Sequence, residues 1–147
     1  MTKYDGYYIT FQEVPNEISL TFTITNCPHA CKGCHSPWLR NDVGRYLKED
    51  ILSIISKYDE MITCVCFMGE GNDIDELISL SKEIEYKTAI YVGLDNISEW
   101  MLNFDYVKVG HFEESLGGLD NPSTNQKMYK TINDKFVDIT YEFNKKI

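Results

Sequence analysis

The stretch that decides the fold lies near the start of the chain and reads Ile18-Ser19-Leu20-Thr21-Phe22-Thr23-Ile24-Thr25. Apolar and small polar residues alternate along it, and a period of two predicts a β-strand. The strand ends at Asn26, because a loop that contains cysteine, proline and glycine follows it to about residue 41. The sequence therefore predicts a strand that leads directly into a cysteine-bearing loop.

Helices and strands alternate after this loop, as judged from the spacing and length of their apolar runs. The predicted elements are a helix at Leu47–Tyr58, a strand at Met61–Met68, a helix capped by Asp73 and running to about Ile84, a strand at Thr88–Val92, a short helix capped by Asn96 or Ser98 and a strand at Tyr106–Val109. This order implies parallel strands joined by right-handed crossovers. About four such units are too few for a closed eight-stranded barrel. We therefore expect a single α/β domain over residues 1–147, a partial, open (β/α) barrel with a mostly parallel sheet, flanked by strands at Tyr7–Val14 and Lys135–Phe143.

Composition narrows the function classes. The chain has 147 residues, a formal net charge of −9 and a pI of about 4.7. Binding along a nucleic-acid backbone needs a basic face, so the charge argues against a nucleic-acid partner. The N-terminus lacks the apolar stretch of a signal peptide, and the apolar runs are too short to cross a bilayer. We expect a cytoplasmic protein without a membrane partner, in which five cysteines indicate metal or redox chemistry rather than disulfides.

The loop carries the most specific motif, Cys27-Pro28-His29-Ala30-Cys31-Lys32-Gly33-Cys34-His35. Its three thiolates have C-x3-C-x2-C spacing, which suits three corners of a [4Fe-4S] cluster whose fourth iron has no protein thiolate. An open coordination position allows a metal centre to bind a substrate. A structural zinc site, with three cysteines and His29 or His35, is the alternative, although this spacing is atypical for zinc.

The longer string from Cys27 to Trp38 resembles the radical S-adenosylmethionine enzymes, and more specifically the family of proteins that activate anaerobic ribonucleoside-triphosphate reductases. Two further segments are similar to that family. Residues 105–116 match its strand followed by a G-x-[FY]-x-x-x-L segment, and Ser123–Lys127 matches its S-x-N-Q-[RK] signature. The resemblance spans about residues 18–130.

The resemblance implies an activity, a cofactor and a partner. A [4Fe-4S] cluster on Cys27, Cys31 and Cys34 would bind S-adenosylmethionine and cleave it reductively to methionine and a 5′-deoxyadenosyl radical. This radical would take a hydrogen atom from a glycine of the partner, the anaerobic ribonucleoside-triphosphate reductase, and an unidentified donor would supply the electron. The segment Met68-Gly69-Glu70 stands where the family has a G-G-E motif that holds the amino group of the cofactor, so Gly69 and Glu70 are candidate cofactor-binding residues.

Three other residues are candidates for the cofactor site. Gly93 ends a strand at the edge where α/β folds bind ligands, so it could admit the adenosine, with Asp95 near the ribose hydroxyls. His35 follows a cluster ligand and either hydrogen-bonds a cluster sulfide or shapes the loop. Each glycine segment also has a simpler interpretation, because Gly69–Gly71 suits any strand-to-helix turn and Gly93 any strand end.

The remaining candidates concern packing and partners. Cys64 and Cys66 share one face of a predicted strand, and we interpret them as core thiols rather than metal ligands. A partner contact is expected around Gly117–Asp120. Two alternative functions stay open: a radical activase of another glycyl-radical enzyme or a peptide, and a non-enzymatic binding module stabilised by zinc.

Overall fold

A computed structural model describes residues 1–26, 41–111, 115–121 and 124–144. The strands within this part of the chain are β1 (Lys3–Thr10), β2 (Ser19–Ile24), β3 (Arg45–Tyr46), β4 (Cys64–Met68), β5 (Lys87–Tyr91), β6 (Tyr106–Val109), β7 (Lys127–Ile132) and β8 (Lys135–Asp138). The helices among the described residues are α1 (Leu47–Lys57), α2 (Ile74–Glu83) and two short 3-10 helices, Glu99–Asn103 and Thr140–Asn144. The predicted strands near residues 18–25, 61–68, 88–92 and 106–109 are thus confirmed, with shifts of up to three residues at their ends.

All eight strands form one mixed sheet in the order β3-β1-β2-β4-β5-β6-β7-β8. The central strands β2, β4, β5 and β6 are parallel to one another. The flanking pairs on both sides are antiparallel. The crossovers from β2 to β4 and from β4 to β5 contain α1 and α2, as the alternating order of strands and helices predicted.

The expected partial, open (β/α) barrel with a mostly parallel sheet is wrong. Four of the seven strand pairings are antiparallel, and only α1 and α2 are α-helices among the described residues. A tight turn explains the pairing of β7 with β8, because parallel neighbours need a long crossover whereas a two-residue turn brings the chain back antiparallel. Asn133 and Asp134, both with positive φ, make such a turn between β7 and β8. A 3-10 helix replaces a full α-helix between β5 and β6.

The flanking strands also differ from the prediction. The strand expected at Tyr7–Val14 is part of β1, which begins earlier, at Lys3, and ends at Thr10. Residues 11–16 form bends and turns instead of continuing the strand. The strand expected at Lys135–Phe143 stops at Asp138 and is followed by the 3-10 helix Thr140–Asn144. Sequence analysis did not predict β7, which joins β8 to the parallel strands.

Both α-helices form as their sequence patterns predict. The buried face of α1 consists of Leu47, Ile51, Ile54 and Ile55, spaced three to four residues apart. Asp73 caps α2, and its carboxylate accepts a hydrogen bond from the main-chain N of Glu76 at 3.2 Å. The predicted N-cap is therefore confirmed, and α2 begins just beyond the segment Gly69–Gly71.

The central strands β2, β4, β5 and β6 are buried on both faces, and each face of the sheet has its own apolar cluster. One face packs against α1 and α2 through residues such as Phe22, Phe67 and Ile90. We call the apolar group on the opposite face the second cluster; it consists of Val14, Cys64, Cys66, Ala89, Tyr106, Leu119 and Met128. Burial raises the pKa of the Cys64 thiol to about 12 and that of Cys66 well above its usual value, so both thiols stay protonated. Their predicted role as core thiols is confirmed.

Candidate functional site

The parallel strands bring four predicted segments to one edge of the sheet. Thr23 of β2, Met68 of β4, Tyr91 of β5 and Lys108 of β6 lie side by side in a row, near the ends of their strands. The segments that follow these strands therefore emerge on the same side. We call this side the carboxyl edge; its segments are Thr25–Asn26, Gly69–Gly71, Gly93–Asp95 and Gly110–His111. With neighbouring strands about 4.8 Å apart, it extends roughly 14 Å from β2 to β6.

The cysteine loop leaves the sheet at this edge. The predicted cluster ligands Cys27, Cys31 and Cys34 and the neighbouring His35 lie outside the described residues. Hydrogen bonds join the two ends of the loop next to β2, where the main-chain N of Asn26 donates to the carbonyl of Asn41 at 3.3 Å.

A second hydrogen bond holds the same two ends of the loop together. The hydroxyl of Thr25 donates to the carbonyl of Val43 at 2.8 Å. The base of the loop is thus fixed on the carboxyl edge.

The segment Gly69–Gly71 packs directly against the strand end that leads into the loop. Both glycines have positive φ, 118° at Gly69 and 61° at Gly71. A Cβ atom added to Gly71 would lie 2.9 Å from Cγ2 of Ile24 and 3.3 Å from the carbonyl oxygen of Thr25. Only glycine fits this approach without displacing its neighbours. The predicted cofactor-binding residues Gly69 and Glu70 therefore lie next to the last residues before Cys27.

Two further predicted cofactor-binding residues, Gly93 and Asp95, lie one strand further along the carboxyl edge. Gly93 follows β5, and Asp95 comes two residues later. The Asp95 carboxylate contacts His111, a residue to which sequence analysis gave no role. Oδ1 of Asp95 accepts a hydrogen bond from the main-chain N of His111 at 3.1 Å and lies 2.5 Å from Nδ1 of the ring. The side chains of Asp95 and His111 are 58% and 35% exposed.

Lys108 is a second residue that sequence analysis missed. It belongs to β6 and is 8% exposed, which is unusual for a lysine. Its ammonium group donates to the carbonyl of Val92 at 3.3 Å and to that of Gly110 at 2.7 Å, and it lies 5.7 Å from the ring centre of Tyr91. Lys108 therefore ties the ends of β5 and β6 together. The only sequence signal for this role was a charged residue within an apolar strand.

The two C-terminal motifs of the resemblance meet at the same place. The side-chain amide of Asn125 donates to the carbonyl of His111 at 3.2 Å, and that of Gln126 donates to the carbonyl of Gly110 at 3.4 Å. A Cβ atom on Gly110 would lie 2.9 Å from Cα of Gln126, so the two segments touch. Asn125 and Gln126 of the S-x-N-Q-K segment thus have a structural role, which is to support the chain just after β6.

The segment proposed for partner contact is partly a core segment. Leu119 is 8% exposed and packs in the second cluster, whereas Asp120 is exposed. The opposite face of the sheet is closed further by Val14, which is fully buried, and by a hydrogen bond from the Tyr91 hydroxyl to the carbonyl of Glu13. Beneath the carboxyl edge, the chain itself therefore covers the face that does not carry the helices.

A cavity of about 510 Å³ lies beside α2, and none of the predicted site residues lines it. Its lining includes Lys48 of α1 and four acidic residues of α2 and its N-cap, Asp73, Asp75, Glu76 and Glu83. Within the ranges that the structure describes, no group of three histidine, cysteine or acidic side chains is arranged to hold a metal ion. No helix in those ranges is both long and apolar enough to cross a membrane.

Comparison with known proteins gives no match: the chain matches no protein-family model, no curated protein and no solved structure.

Proposed function

We propose that this protein is a radical S-adenosylmethionine activase that generates the glycyl radical of an anaerobic ribonucleoside-triphosphate reductase. The observation that carries the proposal is the close approach of Gly71 to Ile24 and Thr25, at the base of the cysteine loop. The resemblance puts the cluster on this loop and the amino group of the cofactor on the adjoining Gly69-Glu70 segment. In the fold, Thr25 at the base of this loop and Gly71 are neighbours although more than 40 residues of sequence separate them.

The described residues fit the proposed cofactor. Gly69 and Gly71 let this segment pack closely against the strand end that leads into Cys27. Backbone carbonyls and the Glu70 carboxylate are acceptors suited to an ammonium group. The mixed sheet does not disturb this arrangement, because the four strands that lead to the carboxyl edge are all parallel.

Cys27, Cys31 and Cys34 would hold the [4Fe-4S] cluster, which when bound supplies the electron for cleavage of S-adenosylmethionine. In this proposal, residues of the chain itself hold the loop and the strand ends in place and exclude water. The hydrogen bonds of Thr25 and Asn26 join the two ends of the loop that carries the three cysteines. Lys108 fixes the ends of β5 and β6 relative to each other. The buried second cluster keeps water away from the underside of the site, which protects reactive species.

The partner and the electron donor are separate proteins in this proposal. The net charge of −9 still argues against nucleic acid as the partner. The exposed residues of the carboxyl edge, among them Leu94 and Ile97 after β5, offer apolar surface to a partner whose glycine must reach the cofactor.

The test is release of 5′-deoxyadenosine. The protein is reconstituted anaerobically with iron and sulfide, reduced and given S-adenosylmethionine. We expect release by the unaltered protein and none by Cys31→Ala. Cys64→Ala is the matched control, because it removes a cysteine that packs in the core, and it should retain release.

Two results would contradict the proposal. The first is a fully loaded and reduced cluster that gives no 5′-deoxyadenosine even with the reductase present. The second is a protein that, as isolated, contains one tightly bound zinc ion that is lost in Cys31→Ala, which would identify the zinc-stabilised binding module. If 5′-deoxyadenosine is released but only another glycyl-radical enzyme or a peptide receives the radical, the activase chemistry stands and the named partner is wrong.

A further inference from the structure

One carboxylate oxygen of Asp42 joins three parts of the chain at the base of the cysteine loop. Oδ1 of Asp42 lies 3.0 Å from Nζ of Lys3 and accepts a hydrogen bond from the side-chain amide of Asn26 at 3.1 Å. Asn26 is the last residue before Cys27, Asp42 lies just before β3, and Lys3 belongs to β1. The two ends of the loop and the first strand of the sheet therefore meet at this oxygen.

The backbone holds these three side chains next to one another. The main-chain N of Thr25 donates to the carbonyl of Lys3 at 3.0 Å, and Lys3 pairs with Tyr46 between β1 and β3. Lys3 thus lies between the end of β2 and the strand that follows the loop. Asn26 has a φ of 60°, in the left-handed region that asparagine adopts more readily than most residues.

The contact between Lys3 and Asp42 is an ion pair at the surface. Hydrogen bonds from Lys3 and then from Asn26 lower the pKa of the Asp42 carboxyl, so it is ionised at neutral pH. The side chains of Lys3 and Asp42 are 22% and 68% exposed. Dissolved salt therefore screens their attraction, which makes the strength of the pair depend on ionic strength.

Closing the base of a loop matters for any cluster that the loop binds. Residues 27–41 lie between Asn26 and Asp42 and include the three cysteines of the motif. A loop with separated ends must lose more conformational freedom before three of its side chains can converge on one cluster. Contacts that already join the ends supply part of this ordering before the cluster binds.

We propose that Lys3 and Asp42, together with Asn26, are positioning residues for the cluster, because their ion pair closes the base of the cysteine loop and slows the loss of iron from it. This inference rests on the proposed function. It adds two residues outside the cysteine motif and makes the retention of the cluster dependent on ionic strength. The three residues act through the loop and do not themselves bind the cluster.

An ion pair that only stabilises the fold would behave differently. Its loss would lower the free energy of unfolding and would speed the loss of iron only as far as the protein unfolds. Lys127 and Asp138 form the matched control pair, since they are also partly exposed and lie 3.6 Å apart, but they join β7 to β8. In the sheet, β7 is four strands away from β2.

The experiment measures the rate at which a bound cluster loses iron. The protein is reconstituted anaerobically with iron and sulfide, an iron chelator is added, and the decay of the visible absorbance of the cluster is followed. Lys3→Glu and Asp42→Lys each replace the attraction by a repulsion, so each should lose iron about threefold to fivefold faster than the unaltered protein.

The double variant, Lys3→Glu combined with Asp42→Lys, tests whether the two charges act together. It restores an attraction with the charges exchanged, and the amide of Asn26 can pair with either charge at position 42 because it both donates and accepts. The rate of iron loss should therefore return close to that of the unaltered protein. Asp138→Lys, the matched charge change in the control pair, should leave the rate unchanged.

A salt series gives a second measurement on a variant that keeps the shape of the side chain. Raising the ionic strength from about 0.1 to 1 M shortens the screening length from about 10 to 3 Å. The unaltered protein should then lose iron faster, and Asp42→Asn should respond much less. Urea denaturation of the cluster-free proteins shows that each variant is folded and gives its free energy of unfolding.

The outcomes separate the inference from the proposed function. If both single variants lose iron at the rate of the unaltered protein, or if the double variant is no slower than they are, the inference is overturned while the activase proposal stands. The same conclusion follows if Asp138→Lys speeds the loss of iron equally, because the effect would then come from general stability. If the unaltered protein takes up no iron–sulfur cluster, both proposals fail.

Discussion

The approach of Gly71 to the end of β2 makes a quantitative prediction for Gly71→Ala. Alanine at this position must adopt a φ of about 61°, which costs an L-residue about 1 to 2 kcal/mol. Its Cβ would also lie 2.9 Å from Cγ2 of Ile24 and 3.3 Å from the carbonyl oxygen of Thr25. Relief of such overlap in a packed interior costs about 1 to 3 kcal/mol more. We therefore expect the free energy of unfolding to fall by about 2 to 5 kcal/mol.

Gly6→Ala is the matched control. Gly6 also has positive φ, 87°, but a Cβ atom there would meet no atom within 4 Å. This variant should lose only the backbone contribution of about 1 to 2 kcal/mol. The effect of alanine on the unfolded chain is shared by both variants, so their difference measures the packing of Gly71 against β2.

Urea denaturation followed by circular dichroism provides the two free energies. The account requires Gly71→Ala to be the less stable variant by about 1 to 3 kcal/mol, with the same dependence on urea. It also requires a loss of 5′-deoxyadenosine release in Gly71→Ala at temperatures where the protein is folded, since the base of the cysteine loop would move. Equal stabilities would show that the segment does not pack against the strand end, and the reasoning would be refuted.

Three further predictions concern the rest of the fold. Burial by itself would raise the pKa of Glu17, but hydrogen bonds from a tyrosine, a threonine and a lysine outweigh it, so the pKa is lowered; the carboxylate thus stabilises the fold above its usual pKa range and less as the pH falls. Glu17→Gln should lower the free energy of unfolding by about 2 kcal/mol at neutral pH, and this loss should become smaller in acid. Urea denaturation at several pH values measures the loss, and a loss that does not change with pH would contradict the prediction. Lys108→Met removes the ammonium donor from two main-chain carbonyls and should lower the free energy of unfolding by about 2 kcal/mol. Unchanged thermal stability would show that the lysine does not hold the strand ends together. Gly44→Ala should prevent native folding, because its Cβ would lie 2.0 Å from the carbonyl oxygen of Tyr4, and a natively folded variant by circular dichroism would disprove this contact.

The central parallel strands and both α-helices could be predicted because their signals are local. Alternation within Ile18–Thr25 and the helical stripe of Leu47–Tyr58 determine which faces are buried, and the structure keeps nearly the same bounds. The run Met61–Met68 was predicted too long, since it enters the sheet only at Cys64 after a turn that includes Glu60 at positive φ. The residue at which a strand ends depends on the neighbouring chain segments that it contacts. A local sequence pattern holds no information about those segments.

The direction of the flanking strands could not be predicted, because it depends on connections rather than on periodicity. The β7 strand, Lys127–Ile132, mixes lysine with apolar residues and is half exposed, so its pattern is weak. The pairing of Asp95 with His111 joins residues from two different loops, and nothing in either loop alone indicates it. The two motifs around Gly110 and Gln126 were recognised separately, and the fold shows that they are in contact.

The central claim is that this chain makes a radical on a glycine of another protein. Electron paramagnetic resonance tests it most directly. The reconstituted, reduced protein is mixed anaerobically with S-adenosylmethionine and the anaerobic ribonucleoside-triphosphate reductase, and the spectrum is recorded beside one with Cys31→Ala. The account predicts a glycyl-radical signal that requires both proteins and the cofactor and is absent with Cys31→Ala. A cluster-loaded protein that cleaves nothing and yields no signal on the reductase, or a signal of equal size with Cys31→Ala, would contradict it.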